Sequence, residues 1–285
     1  MTDATDMRSR IEALSSQLTM AERRLAAALL ADWPFAGLDP IQLLAERTSV
    51  SAPTITRFVH KLGCKGFQEF QRALIGELRE GSRSPVELHP TASPPGGGLS
   101  EVVADSIKAL EALPEAVTSD QFRRVCDLLA DESRAVHVLG GRISDALGLH
   151  LSRHLRQIRR GVSHLPSDPE QWPEYLLRMR SKDVLVLLDF RRYQPALLQL
   201  ARLAARERKA SVILITDRWM SPISSVAREV LPVPIESGAA WDTSVAALAL
   251  IEAMIVDVSD RDWDATRKRI QSWDALRPPR GARED

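Results

Sequence analysis

Residues 44–67 read LAERTSVSAPTITRFVHKLGCKGF, and this stretch decides the fold of the first part of the chain. We expect a short helix to begin at Asp39–Pro40, because Asp can accept hydrogen bonds from orphan amides and Pro suits the first helical position. Thr48–Val50 interrupts this helix, and Ser51 is expected to cap the next one, which runs from about Ala52 to Leu62. The stretch therefore predicts two short helices joined by a three-residue break.

Positive charge is concentrated in this stretch, although the whole chain is neutral, with 38 Lys and Arg residues against 38 Asp and Glu residues. Between residues 47 and 68 there is no acidic residue, and the cations are Arg47, Arg57, Lys61 and Lys65. If Ile55, Val59 and Leu62 face inward, the opposite helix face carries Ser51, Thr54, Arg57 and Lys61. A helix of this size and polarity suits the major groove of DNA. The alternative is the solvated face of a small helical bundle.

Helical signals precede this stretch, and a linker follows it. Thr19 and Glu22 have the spacing of a capping box. Residues 81–98, GSRSPVELHPTASPPGGG, are rich in Pro, Gly and Ser and lack hydrophobic periodicity. They predict a linker that allows the flanking units to move relative to each other, and the alternative is a long loop within one domain. The predicted organisation is a first unit at 1–80, a linker at 81–99, a second unit at 100–265 and a C-terminal tail at 266–285.

Beyond the linker the hydrophobic period changes from that of helices to that of alternating strands and helices. Long amphipathic patterns from residue 99 to 130 are followed by short apolar runs at 135–139, 184–188, 212–216 and 230–233, with a weaker one at 162–165. Helical periodicity separates these runs, at 142–159, 195–208 and 240–258. The alternation predicts a parallel, doubly wound sheet that is covered on both faces.

The composition of the chain is that of a folded globular protein. The chain has 285 residues, of which 44% are hydrophobic and 27% charged, and these values are typical of folded globular proteins. Its two cysteines, Cys64 and Cys126, lie far apart and match no metal-ligand spacing, which favours a reducing compartment without disulfides. The N-terminus does not read as a signal peptide, and no window is apolar enough to cross a membrane. We expect a cytoplasmic protein with no membrane partner.

Loops at the carboxyl ends of the predicted strands are the candidate ligand site, because ligands of doubly wound sheets bind there. These loops are Gly140–Ser144, Asp189–Gln194 and Asp217–Ser221. Arg191 and Arg192 are adjacent and suit a phosphate or carboxylate group, although salt bridges across a subunit interface are the alternative. His150 and His154 are four residues apart but lack a third ligand, so we expect neither a metal nor a cofactor.

The first unit has specific sequence similarity to a known family. The element S-x-x-T-I-x-R-F, which begins at Ser51, and K-L-G-x-x-G-F, which begins at Lys61, closely resemble the N-terminal helix-turn-helix of RpiR-type (MurR/RpiR) bacterial transcription regulators. The similarity covers roughly residues 10–80 and implies that the helix after the break is the recognition helix. It implies DNA contacts by Ser51, Thr54, Arg57 and Lys61, with Arg47 and Lys65 as flanking phosphate contacts.

The second unit resembles the SIS (sugar isomerase) domain that follows this helix-turn-helix in the family. The match is good at Ile215–Asp217 and Ser221–Ile223 but poor in the two phosphate loops. The family pattern G-x-G-x-S becomes Gly140, Arg142 and Ser144, and the pattern S-x-S-G-x-T becomes Asp189, Arg191, Arg192 and Gln194, without a hydroxyl. The resemblance implies an effector site formed by Gly140, Arg142, Ser144, Asp189, Arg191, Arg192 and Thr216.

The expected fold class is therefore α/β with a separate all-α domain: an N-terminal helix-turn-helix bundle and a C-terminal α/β/α sandwich with a parallel sheet in flavodoxin-like order. The expected function is a non-enzymatic, homodimeric or higher homo-oligomeric regulator that binds a palindromic operator. Its effector is a small anion, either a phosphosugar or a sugar acid. The alternatives are a phosphosugar isomerase with an accessory helical domain, and a regulator whose second unit only dimerises.

Overall fold

The computed structural model of the protein describes residues 7–31, 33–89 and 98–277. The first unit consists of helices that surround one apolar core. They are α1 (Met7–Ala13), α2 (Met20–Ala31), α3 (Ile41–Thr48), α4 (Ala52–Lys61) and α5 (Phe67–Ser82), with 3-10 turns at Ser15–Gln17 and Phe35–Leu38. The break between α3 and α4 confirms the helix, short turn and helix predicted from the sequence.

The rest of the described chain alternates between helices and strands. Its helices are α6 (Pro85–Leu88), α7 (Leu99–Ala116), α8 (Ser119–Ala130), α9 (Asp145–Ile158), α10 (Trp172–Arg178), α11 (Pro195–Arg206), α12 (Val245–Asp260) and α13 (Trp263–Ala275). Its strands are β1 (Val136–Gly140), β2 (Val162–His164), β3 (Val184–Asp189), β4 (Ser211–Thr216) and β5 (Glu229–Pro232). None of the helices in these described ranges is both long and apolar enough to cross a membrane.

The strands form a parallel sheet in the order β2-β1-β3-β4-β5, which confirms the flavodoxin-like prediction. Gly140 pairs with Leu188, and Asp189 pairs with Thr216 in the next strand. The carboxyl ends of the three central strands therefore lie side by side. The loops that follow them meet at one edge of the sheet.

Apolar side chains of alternate strand residues fill two separate cores. Val184, Val186 and Leu188 face the core that includes α8, α9 and α12, whereas Leu185 and Leu187 face the core that includes α11. All six residues of β3 are buried, as a strand covered on both faces requires. The resulting α/β/α sandwich holds the strand-end loops on a rigid base.

Local capping differs in part from the sequence-based expectation. The capping box is confirmed, because Thr19 N donates to Glu22 Oε2 at 2.8 Å and Glu22 N donates to Thr19 Oγ1 at 3.3 Å. Ser51 is the N-cap residue of α4 as expected, although its side chain makes no capping hydrogen bond; the cap expected from Asp39 is wrong, because Pro40 is the N-cap residue of α3. The Asp39 carboxylate instead pairs with Arg47, and the Ser51 hydroxyl is hydrogen bonded to Thr54 Oγ1.

The two ends of the predicted linker and the predicted tail contain ordered helix. Residues 81–82 belong to α5, and the following segment forms the four-residue α6 before residue 89. Residues 90–97, with the Pro-Pro-Gly run, lie outside the described residues. The tail expected from residue 266 is helical as far as Ala275, and Arg269 Nε donates to the Arg156 carbonyl of α9 at 2.9 Å.

Gly140 makes the turn between β1 and α9 possible, since a Cβ atom at this position would lie 2.5 Å from Asp145 Cα. We predict that Gly140→Ala lowers the free energy of unfolding by about 1–3 kcal/mol, the usual cost of forced overpacking. The matched control is Gly76→Ala in α5, where an added methyl group meets open space and should stabilise the helix by about 0.5–1 kcal/mol. Urea unfolding measures both, and equal effects would contradict the prediction.

Candidate functional site

The turn between α3 and α4 presents α4 to solvent. Ser49 adopts a left-handed conformation with φ of 51°, and Val50 N donates to the Ala45 carbonyl at 3.0 Å, which ends α3 abruptly. Ile55, Phe58 and Val59 of α4 are buried in the first core. The opposite face of α4 is therefore the part of the helix that a partner can reach.

A chain of hydrogen bonds orders the exposed polar side chains of α4. Ser51 Oγ lies 2.9 Å from Thr54 Oγ1, and Arg57 Nη2 donates to the same Thr54 oxygen at 2.9 Å. Two hydroxyls and one guanidinium thus lie together on the outer face. Guanidinium and hydroxyl groups are the donors that read base edges and hold phosphates, so this arrangement suits DNA.

The other predicted DNA contacts lie nearby, but two of them are in ion pairs. Arg47 pairs with Asp39, and Lys61 Nζ lies 2.8 Å from Glu22 Oε1. Burial raises the pKa of Glu22, but hydrogen bonds from Lys61 and Thr19 outweigh it and lower the pKa overall. Lys65 is exposed. The pair between Lys61 and Glu22 could not be predicted from the sequence, because Glu22 lies on α2, 39 residues from Lys61 in the chain.

A cavity of about 360 Å³ opens where the strand-end loops meet. It is lined by the residues that directly precede α9, α11 and α12, which are Ser144, Gln194 and Ser244. Three helix N-termini therefore surround the cavity, and the positive ends of their dipoles favour a bound anion.

Arginine side chains add full positive charge to the cavity. Arg142, Arg191 and Arg192 line it, and the side chains of Arg142 and Arg192 make no hydrogen bond or salt bridge to any described residue. Arg191 is different, because its side chain is only 7% exposed and its Nε lies 3.0 Å from Asp242 Oδ2. Arg142 and Arg192 are consequently the guanidinium groups available to a ligand.

Two buried carboxylates hold the loops beneath the cavity. Asp189 Oδ2 accepts a hydrogen bond from Ser221 Oγ at 2.5 Å, and Asp217 accepts hydrogen bonds from the Tyr193 hydroxyl and the Arg191 amide. Burial raises the pKa of Asp189 to about 7 and that of Asp217 to about 6. Because burial raises its pKa, Asp189 presents less negative charge to an anion near neutral pH than an exposed aspartate would.

The structure brings most of the predicted effector residues together. Arg142, Ser144, Asp189, Arg191 and Arg192 all line the cavity. Gly140 and Thr216 do not. Gly140 is needed for the turn, and the buried Thr216 Oγ1 donates to the Asp189 carbonyl at 2.7 Å.

Sequence reasoning missed part of the cavity lining. Arg83 and Leu88 reach the cavity from the segment after α5, and Trp241, which is 69% exposed, reaches it from the loop before α12. No local sequence pattern marks these residues, because the tertiary fold alone brings them to the strand ends.

Comparison with known proteins shows the class of each unit. Residues 5–81 match the model of the helix-turn-helix domain of the rpiR family, and residues 128–257 match that of the SIS domain. A DNA-binding helix-turn-helix joined to a SIS domain defines a transcriptional regulator. The chain thus combines the two domains of RpiR-type transcriptional regulators, as its sequence motifs predict.

Two relatives extend over most of the chain. The HTH-type transcriptional regulator HexR of Pseudomonas aeruginosa is 24% identical over 230 residues, which cover 79% of this chain and 78% of that protein. The bifunctional protein glk of Paraburkholderia xenovorans is 27% identical over 259 residues, or 88% of this chain. The chain spans only 40% of the length of that second protein.

Solved structures show the same fold. The sugar isomerase domain of an RpiR transcription factor from Sphaerobacter thermophilus has a TM-score of 0.58 and 17% identity, and covers 62% of this chain and 98% of its own. Vibrio vulnificus NanR, solved in complex with ManNAc-6P, has a TM-score of 0.55 and 18% identity, and the match covers 95% of this chain and 97% of NanR. The second likeness extends over both units.

The raised pKa of Asp189 makes stability depend on pH. The folded protein keeps this proton at pH values where the unfolded chain has lost it, so its stabilising effect is complete below about pH 4 and is lost as the pH rises through about 7. We predict that Asp189→Asn flattens the fall in the free energy of unfolding between pH 5 and 8 by about 1–3 kcal/mol. Urea unfolding at several pH values measures this change.

The matched control is Glu170→Gln, which neutralises an exposed carboxylate and should leave the pH dependence as in the parent protein. A variant at residue 189 with the parent's pH dependence would show that Asp189 is already ionised at pH 5.

Proposed function

We propose that this regulator binds a palindromic operator as a homodimer and that a small anionic metabolite in the strand-end cavity modulates its affinity for DNA. One observation carries the proposal: a cavity with two available guanidinium groups opens beside the end of the last helix of the DNA-binding unit. Coupling between two such sites is typically worth about 1–3 kcal/mol, or a 5- to 150-fold change in affinity. Binding to the genome would place the protein in the cytoplasm.

The exposed face of α4 is the proposed reading surface. Ser51, Thr54 and Arg57 form one connected group of donors and acceptors, and Arg57 is its cation. Lys65 is exposed, and we propose that it contacts phosphate. Arg47 and Lys61 would exchange an acidic partner for a phosphate on binding, so we expect them to contribute less than Arg57.

The test is selection of bound fragments from random duplexes with the purified full chain, which should enrich a two-fold symmetric sequence. For the enriched duplex, we predict that Arg57→Ala weakens binding about 5- to 150-fold, as the loss of a base or phosphate contact would. Fluorescence anisotropy at fixed salt measures the affinity. Arg202→Ala removes one exposed cation from α11 and serves as the matched control, which should bind as the parent does.

If Arg57→Ala bound the selected duplex with the parent's affinity and salt dependence, α4 would not be the reading helix. Enrichment of an asymmetric sequence would contradict the palindromic operator.

The ligand is proposed to be a phosphosugar or a sugar acid. A volume of about 360 Å³ is in the range of small-molecule sites, and NanR was solved with a phosphosugar. Here Arg142 and Arg192 stand at glycine positions of the family's phosphate loops, and they add cations to a site that has lost the hydroxyls of its second loop. A planar guanidinium group can donate two parallel hydrogen bonds to either a carboxylate or a phosphate, so both ligand classes fit the site.

The cavity is proposed to bind its ligand without converting it. An isomerase needs a base and an acid beside the sugar, but among the described residues that line the cavity none is His or Glu. His150 and His154 lie on α9 outside this lining, and His137 is buried with its Nδ1 2.7 Å from Ser163 Oγ. The two carboxyl groups of the lining, Asp189 and Asp242, are held by Ser221 and Arg191, and this disfavours the phosphosugar isomerase alternative.

A stripe on α7 is the proposed dimer surface. Five exposed apolar residues lie along α7 at spacings that bring them to one side of the helix: Leu99, Val102, Val103, Ile107 and Leu110. Between 38% and 80% of each is exposed. A continuous exposed apolar surface is typical of an interface. A second copy of the chain would cover it and would place two reading helices on a symmetric operator.

We predict that Ile107→Glu shifts the protein from dimer to monomer, because it buries an unpaired charge in each half of a symmetric interface. Light scattering after size-exclusion chromatography measures the mass. The matched control is Leu177→Glu, which changes an isolated exposed leucine of α10 and should leave the mass unchanged. A dimer that survives Ile107→Glu would place the interface elsewhere.

A further inference from the structure

The last turn of α5 docks on the loops that follow β3 and β4. The Gly81 carbonyl accepts a hydrogen bond from Arg192 N at 3.1 Å. A Cβ atom at residue 81 would lie 2.9 Å from Trp219 Cβ and 3.1 Å from the Tyr193 hydroxyl. The absence of a side chain at Gly81 thus allows the helix end to lie directly against the second unit.

Arg191 links this helix end to the cavity. Its guanidinium donates to the Glu80 carbonyl in the last turn of α5, pairs with Asp242 in the cavity wall and stacks 3.7 Å from the centre of the Trp219 ring. A cation at the carboxyl end of a helix is favourable, because it meets the negative end of the helix dipole. The same charge also faces any anion that enters the cavity.

The DNA-binding unit and the cavity share further residues. Phe70 and Leu74 of α5 belong to the core of the first unit, so the helix is a continuous part of that unit. Arg83 and Leu88, which follow α5, line the cavity. Met220, in the loop after β4, is buried in the first core. A ligand in the cavity would therefore touch the attachment of the DNA-binding unit itself.

We propose that Arg191 is the positioning residue through which an anion in the cavity releases α5. This inference rests on the proposed function and specifies its regulation. An anion near Arg191 repels Asp242 and replaces it as the counter-charge. The guanidinium then moves toward the anion and leaves the Glu80 carbonyl without its donor. Because linkage is reciprocal, docking of α5 opposes anion binding and release of α5 strengthens it.

The test is hydrogen exchange of the full chain with inorganic phosphate as the probe and sodium chloride at matched ionic strength as the control. In the parent protein, phosphate should slow exchange in loops 140–144 and 189–194 and raise exchange in residues 79–83 about tenfold, within the usual range of coupling. Arg191→Gln should show fast exchange in residues 79–83 without phosphate and no further response. Arg192→Gln should respond as the parent does, but only at higher phosphate concentrations.

A second variant separates coupling from a simple loss of structure. Gly81→Ala pushes the helix end away without replacing any charged residue of the cavity, so reciprocity predicts tighter phosphate binding, by about 5-fold or more. Gly76→Ala, on the same helix, is the matched control and should bind phosphate as the parent does. Unchanged or weaker phosphate binding by Gly81→Ala would overturn the role of Arg191.

The experiment can contradict the anion site and the coupling through Arg191 separately. If phosphate gives no protection of loops 140–144 and 189–194 in the parent protein, the anion site is wrong and the inference falls with it. If these loops are protected while residues 79–83 do not respond, the anion site stands and the coupling through Arg191 is contradicted.

Discussion

The contact between the carboxyl end of α5 and the strand-end loops is the constraint on which the rest of the molecule depends. A parallel sheet brings the ends of β1, β3 and β4 to one edge, and the helix termini around that edge favour an anion. The same edge holds the last turn of α5 through Arg191 and the Arg192 amide. The proposed anion site and the DNA-binding unit therefore meet at one place, and the proposed coupling between them needs no long path.

Buried polar groups keep these loops in position. Asp189 and Asp217 are taken out of water, and hydrogen bonds from Ser221, Tyr193 and backbone amides offset part of the cost. Apolar residues at these positions would avoid this desolvation cost. Carboxylates with raised pKa values at a strand-end cavity are typical of functional sites, where stability gives way to a defined loop geometry.

The sequence predicted the features that depend on local patterns. Hydrophobic periodicity marked α4 and the central strands, and Arg142, Arg191 and Arg192 could be assigned to one edge because parallel strands end together. Contacts between distant segments could not be predicted. Lys61 pairs with Glu22 across 39 residues, and Arg191 reaches Glu80 across 111. The side-chain caps expected from Asp39 and Ser51 failed for a local reason, because Asp39 pairs with Arg47 of the same helix region and the Ser51 hydroxyl bonds to Thr54.

The most direct test of the central claim is the distance between the two units, measured by pulsed electron resonance on spin labels at Gln68→Cys and Arg202→Cys. Cys64 and Cys126 are buried, so the introduced cysteines should label selectively, and dilution with unlabelled protein isolates distances within one chain. We predict one narrow distance distribution for the unliganded protein and a broader one for Gly81→Ala. A single narrow distribution in both proteins would show that docking of α5 does not set the position of the DNA-binding unit.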